Sequence, residues 1–271
     1  MVIRKTPFQS FRLDLEGIAN CLALIHKGKN TRKIIARELG MGEKKVEGYF
    51  EWAEFLGLIE DMPRTKTQVL KSLGQKLLEF PDFPKNVPAL EILYALITSN
   101  HPLLERIINH FAYDISRQFD PSFSKGSYKK ALLVIGQDFN VNPDFLLKRA
   151  SIYLDLLVNP TSFGKLAIFV KNNDDSIRIN SYRPDWRSFA YILYFSWPEN
   201  KSRMRISEIA SGQNSLGRIF FMTESQVMLL LSKLEQECAI ALEIIADLNQ
   251  VGLNPAMKAE DFLEMLIHDQ S

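Results

Sequence analysis

Two carboxylates and a lysine in the last third of the chain carry the spacing of a phosphodiester-cleaving site. Asp185 follows Pro184, and Glu199-Asn200-Lys201 comes fourteen residues later. In metal-dependent nucleases an Asp and the Glu of a Glu-x-Lys pair hold Mg²⁺ while the lysine orients the attacking water. That chemistry needs the Glu and Lys on a strand beside the Asp. Here the intervening WRSFAYILYFSW has helical periodicity, and Glu199 falls in a loop after Pro198. His110 and Asp114 stand one helical turn apart, but two residues do not make a metal site. Gly28-Lys29-Asn30-Thr31 lacks the earlier glycine of a phosphate loop. Gly212-Gln213-Asn214-Ser215-Leu216-Gly217 has one residue too many for a nucleophile elbow. The chain therefore reads as non-enzymatic, with no catalytic residue, metal ligand or cofactor.

The other available chemistry is charge. Lys29, Arg32, Lys33, Arg37, Lys44 and Lys45 crowd one short stretch, and Arg64 and Lys66 follow in a polar turn. Residues 1–76 hold 14 Lys+Arg against 9 Asp+Glu, whereas the remainder holds 19 against 23 and the whole chain is only +1. Clustered cations grip backbone phosphates, the main source of non-specific affinity for duplex DNA. These eight residues are the expected DNA-binding set. Glu43, Glu47, Glu51 and Glu54 lie among them, and carboxylates are repelled by phosphates except where an occasional Glu reads cytosine. The same surface therefore also suits a protein partner.

Positioning these charges requires a helix-turn-helix, and residues 32–51, RKIIARELGMGEKKVEGYFE, have its pattern. Ala36 is the small residue where the helices touch, Gly40 takes the turn, and Val46 is the β-branched core residue of the second helix. A first helix is expected from Asp14 to His26, with Leu15, Ile18, Leu22 and Ile25 on one face. Thr31 caps the second helix, and the third runs from Glu43 to Leu56. Val46, Tyr49, Ala53 and Leu56 face inward, leaving Lys44, Glu47, Gly48 and Glu51 outside. Tyr49, Phe50, Trp52 and Phe55 have the spacing of core residues. Leu58-Ile59, a polar turn over 61–66 and Gln68-Val69-Leu70 then supply the strand, turn and strand of a winged helix. A closing helix runs from Lys71 to Phe80.

At 271 residues, 46% hydrophobic and 24% charged, the chain can bury a sizeable core. Pro81, Pro84 and Pro88 mark a boundary. Three units are expected: a winged helix-turn-helix over 1–80, a helical middle with a short hairpin over 81–182, and a winged-helix-like domain over 183–271. The middle hairpin is Leu166–Val170 and Ser176–Ile179. The last unit has helices at Trp186–Trp197, Arg205–Ser211, Glu224–Glu237 and Ala259–His268, and strands at Ala241–Ile245 and Asn249–Gly252. The fold class is mainly α. Cys21 and Cys238 read as reduced thiols on apolar helical faces. MVIRKTPFQSF lacks the apolar core of a signal peptide, and no apolar run nears the roughly 18 residues of a membrane span. A cytoplasmic protein without membrane contact is expected.

Three segments resemble an uncharacterised prokaryotic domain family numbered 4007. They are LGMGEKKVEGYFEWAEFLGLIED; LKSLGQKLLEFPDFPKNVPALEILYALITSNHP; and the C-terminal FAYILYFSW, SLGRIFFMTESQVMLLLSKLE and ALEIIADLNQVGL. Ser215-Leu216-Gly217-Arg218-Ile219-Phe220 with Thr223-Glu224 is the most family-like piece, although the family pattern carries proline where Leu216 stands. The resemblance implies a helical, winged-helix-containing protein encoded near phosphorothioate-type DNA modification and other anti-phage systems. It carries over no catalytic motif. The expected function is a non-enzymatic, DNA-associated component of such a system. Its partners would be double-stranded DNA and proteins of the modification or defence complex. The alternatives are an adaptor between proteins and a transcriptional regulator.

Overall fold

The computed structural model describes residues 11–62, 64–111, 121–138, 142–245 and 248–269. It is mainly α, 57% helix and 12% strand, with three short antiparallel sheets. The first unit runs α1 (Leu15–His26), α2 (Arg32–Glu38), α3 (Glu43–Phe55), β1 (Ile59–Met62), β2 (Thr67–Leu70) and α4 (Ser72–Leu77). Asp14 caps α1 by accepting the Gly17 N–H at 3.0 Å, and it also accepts the Tyr49 hydroxyl at 2.7 Å. One carboxylate thereby ties the start of α1 to α3. Gly17 makes the approach possible, because a Cβ there would lie 2.3 Å from the Tyr49 ring. Ile18, Leu22, Ile35, Val46, Trp52, Leu56 and Leu58 are sealed from solvent beneath these helices.

Gly40 takes the turn between α2 and α3 at φ +62°, with open space where a Cβ would go. Only backbone conformation therefore penalises a side chain there. Gly40→Val is expected to cost on the order of 1–3 kcal/mol, since a β-branched residue is strained in the left-handed region. Chemical denaturation of the two proteins checks it, and equal midpoints would contradict it.

Two details of this unit differ from the sequence reading. Gly48 is not on the outer face of α3. It is buried beneath Phe11, whose ring would lie 2.6 Å from an added Cβ. Trp52 fixes the same segment by donating its indole N–H to the Phe11 carbonyl at 2.9 Å. Strand β1 also extends through Asp61 and Met62, which the sequence placed in the turn, pairing Asp61 with Gln68 and Met62 with Thr67. Cross-strand pairing overrides the weak strand propensity of Asp. The hairpin turn is left with Arg64, Thr65 and Lys66.

The middle contains α5 (Val87–Asn100), α6 (Pro102–His110), β3 (Ser122–Phe123), α7 (Lys125–Gln137), α8 (Pro143–Val158), β4 (Phe169–Lys171) and β5 (Ile177–Ile179). Every residue of α5 from Ala89 to Thr98 is buried, so this helix is the axis on which the other units pack. The expected hairpin becomes a three-stranded sheet, order β3-β5-β4. The last unit contains α9 (Trp186–Phe195), β6 (Met204–Arg205), α10 (Ile206–Ser211), α11 (Leu216–Ile219), α12 (Glu224–Gln236), β7 (Ile240–Ile245), β8 (Leu248–Leu253) and α13 (Ala259–His268). Its sheet has the order β6-β8-β7. Cys21 is buried as expected, but Cys238 is exposed just past α12, in a left-handed conformation at φ 56°.

Two buried ionisable groups hold the units together. His101 caps α6 by accepting the Leu104 N–H on Nδ1 at 3.4 Å, and is caged by Trp52, Phe55 and Tyr153. Its Nε2 has no hydrogen-bond partner among the described residues, and burial lowers its pKa to about 4. Glu91 on α5 is 2% exposed and accepts from the Tyr182 hydroxyl at 2.6 Å and the Asp185 N–H at 3.1 Å. Burial raises its pKa to about 7, with those hydrogen bonds opposing the rise. The two groups act on stability in opposite senses. Above pH 4 and below about 6.5 the unfolded chain binds the His101 proton and the folded chain does not, so stability rises with pH. Between the ordinary carboxyl value and 7 the folded chain holds the Glu91 proton, so stability falls with pH. Glu91→Gln keeps a carbonyl acceptor and removes the second effect. Its stability is expected to rise from pH 4 to 6.5 by up to about 1.4 kcal/mol per pH unit, against a flatter wild type. Urea titrations across that range measure the difference; parallel profiles would sink it.

Candidate nucleic-acid interface

The eight expected DNA-binding residues come together around the α2–α3 turn and the β1–β2 hairpin, but they are not equivalent. Lys29 lies 2.8 Å from Glu38, and Arg37 lies 3.8 Å from the same carboxyl group. The hydrogen bond from Lys29 holds the Glu38 carboxyl below its ordinary pKa. Arg32 reaches across from α2 to α3, 3.4 Å from Glu43 and 3.1 Å from Glu47. These three cations spend their charge within the domain. Lys33, Lys44, Lys45, Arg64 and Lys66 are all exposed and have no acidic partner among the described residues. Lys45 lies 5.6 Å above the Tyr49 ring, which orients its stem without neutralising it. The first turns of α2 and α3 and the hairpin turn thus each present free positive charge. Such a rim matches phosphates, not base edges.

A cleft of about 550 Å³ separates α3 from the hairpin. Arg32, Lys33 and Lys66 enter it, but so do Glu43, Glu47, Glu51, Glu54 and Asp61. The glutamates recur every three or four residues, so they form one stripe on α3. The stripe lies where a helix-turn-helix would face a groove. The aromatic residues of α3 leave it no stacking surface, since Tyr49, Phe50 and Trp52 are buried and Phe55 packs on His101.

The nuclease-like residues do not assemble. Asp185 caps α9 and is gripped by Arg187, whose Nε lies 3.0 Å away. Glu199 lies beyond the far end of α9, whose ten residues span about 15 Å at 1.5 Å each. Lys201 pairs with Glu208 at 2.6 Å. Asp114, the residue paired with His110 in the sequence reading, lies outside the described residues. Among the described residues no cluster of three or more His, Cys, Asp or Glu could hold a metal ion, and no helix is long and apolar enough to cross a membrane.

The geometry defines a class: a mainly α protein with short antiparallel sheets, whose first unit carries a basic rim around an acidic cleft. Two solved structures share this fold. One is the SspB crystal structure, with a TM-score of 0.73 and 12% identity, aligned over 96% of this chain and 85% of that one. The other is a magnesium ion-bound SspB crystal structure, with a TM-score of 0.70 and 11% identity over the same shares. No family model and no curated protein matches the sequence.

Proposed function

We propose that this protein is a non-enzymatic, DNA-associated component of a prokaryotic DNA-modification or anti-phage defence system. Its first unit serves as a winged helix that holds the phosphate backbone. One observation carries this reading: Lys33, Lys44, Lys45, Arg64 and Lys66 come from three elements, are exposed, and have no acidic partner among the described residues. The acidic stripe on α3 argues against deep insertion into the major groove, so contact is with backbone and weakly dependent on sequence. The setting is supported by the resemblance to domain family 4007 and by a fold shared with SspB along nearly the whole chain. The last unit meets the first at α4, where Lys76 lies 2.6 Å from Glu264 of α13.

Labelled duplex is titrated with the intact protein at several salt concentrations. Binding is expected to weaken steeply with salt, log affinity falling by about 0.9 per tenfold salt for each phosphate contact. Absence of binding at low salt would end the DNA reading.

A further inference from the structure

A second cleft, of about 650 Å³, opens where the three units meet, and its volume falls in the range of small-ligand sites. The end of α3, the start of α4, the end of α5, and α9 and α13 all line it. Leu56, Leu96 and Leu263 give it a buried apolar floor. One wall is aromatic. Tyr191 and Phe195 stand one turn apart on α9, their rings stacked 5.8 Å apart and 17° from parallel. Tyr191 covers one face of Phe195, yet Phe195 is 56% exposed, so its other face is open. Tyr191 itself is only 3% exposed, and its hydroxyl has no hydrogen-bond partner among the described residues. That hydroxyl is not among the polar atoms sealed from solvent, so it opens into the cleft. Burial, with the charge of Glu260 adding to it, raises the Tyr191 pKa and keeps the group a donor. Asn100 ends α5 at the mouth, and its side-chain amide bonds none of the described residues. The charged lining is Glu54, Glu260 and Lys71, two carboxylates against one ammonium.

We propose that this cleft binds an uncharged purine nucleoside. A base has two apolar faces and a polar edge, and the cleft offers a partner to each. The open face of Phe195 is a stacking platform of the kind that aromatic side chains give to bases. The Asn100 amide carries a donor beside an acceptor, the pattern that pairs with N6 and N7 of adenine. The Tyr191 hydroxyl supplies one further donor. A phosphate would meet an excess of carboxylates, so the nucleoside is favoured over the nucleotide. An aliphatic side chain of a partner protein could fill the floor, but it would leave the Tyr191 hydroxyl and the Asn100 amide unused. None of Lys33, Lys44, Lys45, Arg64 and Lys66 lines this cleft. The inference therefore goes beyond the DNA reading and does not depend on it.

Adenosine is titrated into the intact protein by calorimetry, alongside N6,N6-dimethyladenosine, ATP and indole. Adenosine is expected to bind at millimolar concentration or below. Dimethyladenosine keeps the stacking ring but lacks the N6 donor, so it should bind about tenfold more weakly. ATP should bind no more tightly than adenosine, and indole, which lacks the base edge, should bind more weakly. Tyr191→Phe deletes only the hydroxyl and should weaken adenosine about threefold to tenfold. Phe195→Leu keeps an apolar side chain without a stacking face and should weaken it about tenfold. The hydroxyl bonds nothing and Phe195 is exposed, so both variants should melt with the wild type, and a lost affinity is then not a lost fold. No binding of adenosine, equal binding of indole, or unchanged affinity in both variants would overturn the proposal. So would a tighter complex with ATP, or with a trideoxynucleotide carrying a central adenine. Duplex affinity and its salt slope should not change in either variant. Adenosine binding by a protein that fails to bind duplex would end the DNA reading alone.

Discussion

Gly217→Val will destabilise the protein by more than about 4 kcal/mol, outside the usual range for single substitutions. A Cβ at Gly217 would lie 2.0 Å from the Ala210 carbonyl oxygen and 2.7 Å from its carbon. These are backbone atoms of α10, so no side chain can rotate away. Helix α11 would have to move off α10, and its attachments resist that. Ile219 accepts the hydroxyl of Tyr94 from the central helix at 3.0 Å, Phe220 accepts the Tyr182 N–H at 2.9 Å, and Gly217 accepts the Met222 N–H at 2.7 Å. The expected loss corresponds to a fall in melting temperature of roughly 10 °C, at 2–4 °C per kcal/mol for a chain of this order. Gly126→Ala is the control. Gly126 lies in the first turn of α7 with only Ser124 Oγ near, at 3.5 Å, so alanine should stabilise by about 0.5–1 kcal/mol. Calorimetry of the three proteins decides the matter. A Gly217→Val transition within 2 °C of wild type would show that α10 and α11 do not touch as described.

Ser215 caps α11 by accepting the Arg218 N–H, which makes Leu216 its first residue. Proline is well accommodated at the first position of a helix, because the N–H it lacks would have no partner there. Leu216 is therefore a position that would also accommodate proline, and Gly217 is the residue that lets α11 approach α10.

Elements with long local periodicity were legible: α1, α3, α9, α12 and α13 all lie within a few residues of their expected places. The cap of α2 was legible too, since Thr31 acts through its own side chain. The two-residue strands β3 and β6 were not. Each exists only by pairing with a strand far along the chain, β3 with β5 and β6 with β8, and nothing local marks such a partner. The basic residues could be found from composition, but which of them remained unpaired could not. Arg32 meets Glu47 only because the turn at Gly40 folds α2 across α3. Gln68 carried a readable signal that was missed. It occupies an inward position of β2, two residues before Leu70, where an apolar residue is the rule. Glu91 was similarly visible as a charge inside the apolar run of α5, although its partners Tyr182 and Asp185 lie about ninety residues away.

The DNA reading makes its sharpest claim through changes of opposite sign. Lys44→Glu, Lys45→Glu and Arg64→Glu together remove three rim cations that do not line the acidic cleft. If each holds one phosphate, the slope of log affinity against log salt becomes shallower by about 2.7, at 0.9 per contact. Glu47→Lys with Glu51→Lys should do the reverse. It replaces two repelling carboxylates and removes one of the two that hold Arg32, which keeps Glu43 at 3.4 Å. Two new cations then face the duplex, so binding tightens and the slope steepens by up to about 1.8. Neither change should discriminate between duplex sequences, because no base contact is made or lost. A general effect of net charge would move the two variants in the same directions, so a third variant is needed. Lys129→Glu, Lys130→Glu and Lys148→Glu alter net charge as much as the rim variant does, but lie on α7 and α8 of the middle unit. Anisotropy titrations at four salt concentrations should leave this third variant near the wild-type line. If it shifts as far as the rim variant, attraction is diffuse and the first unit is not the DNA-contacting surface.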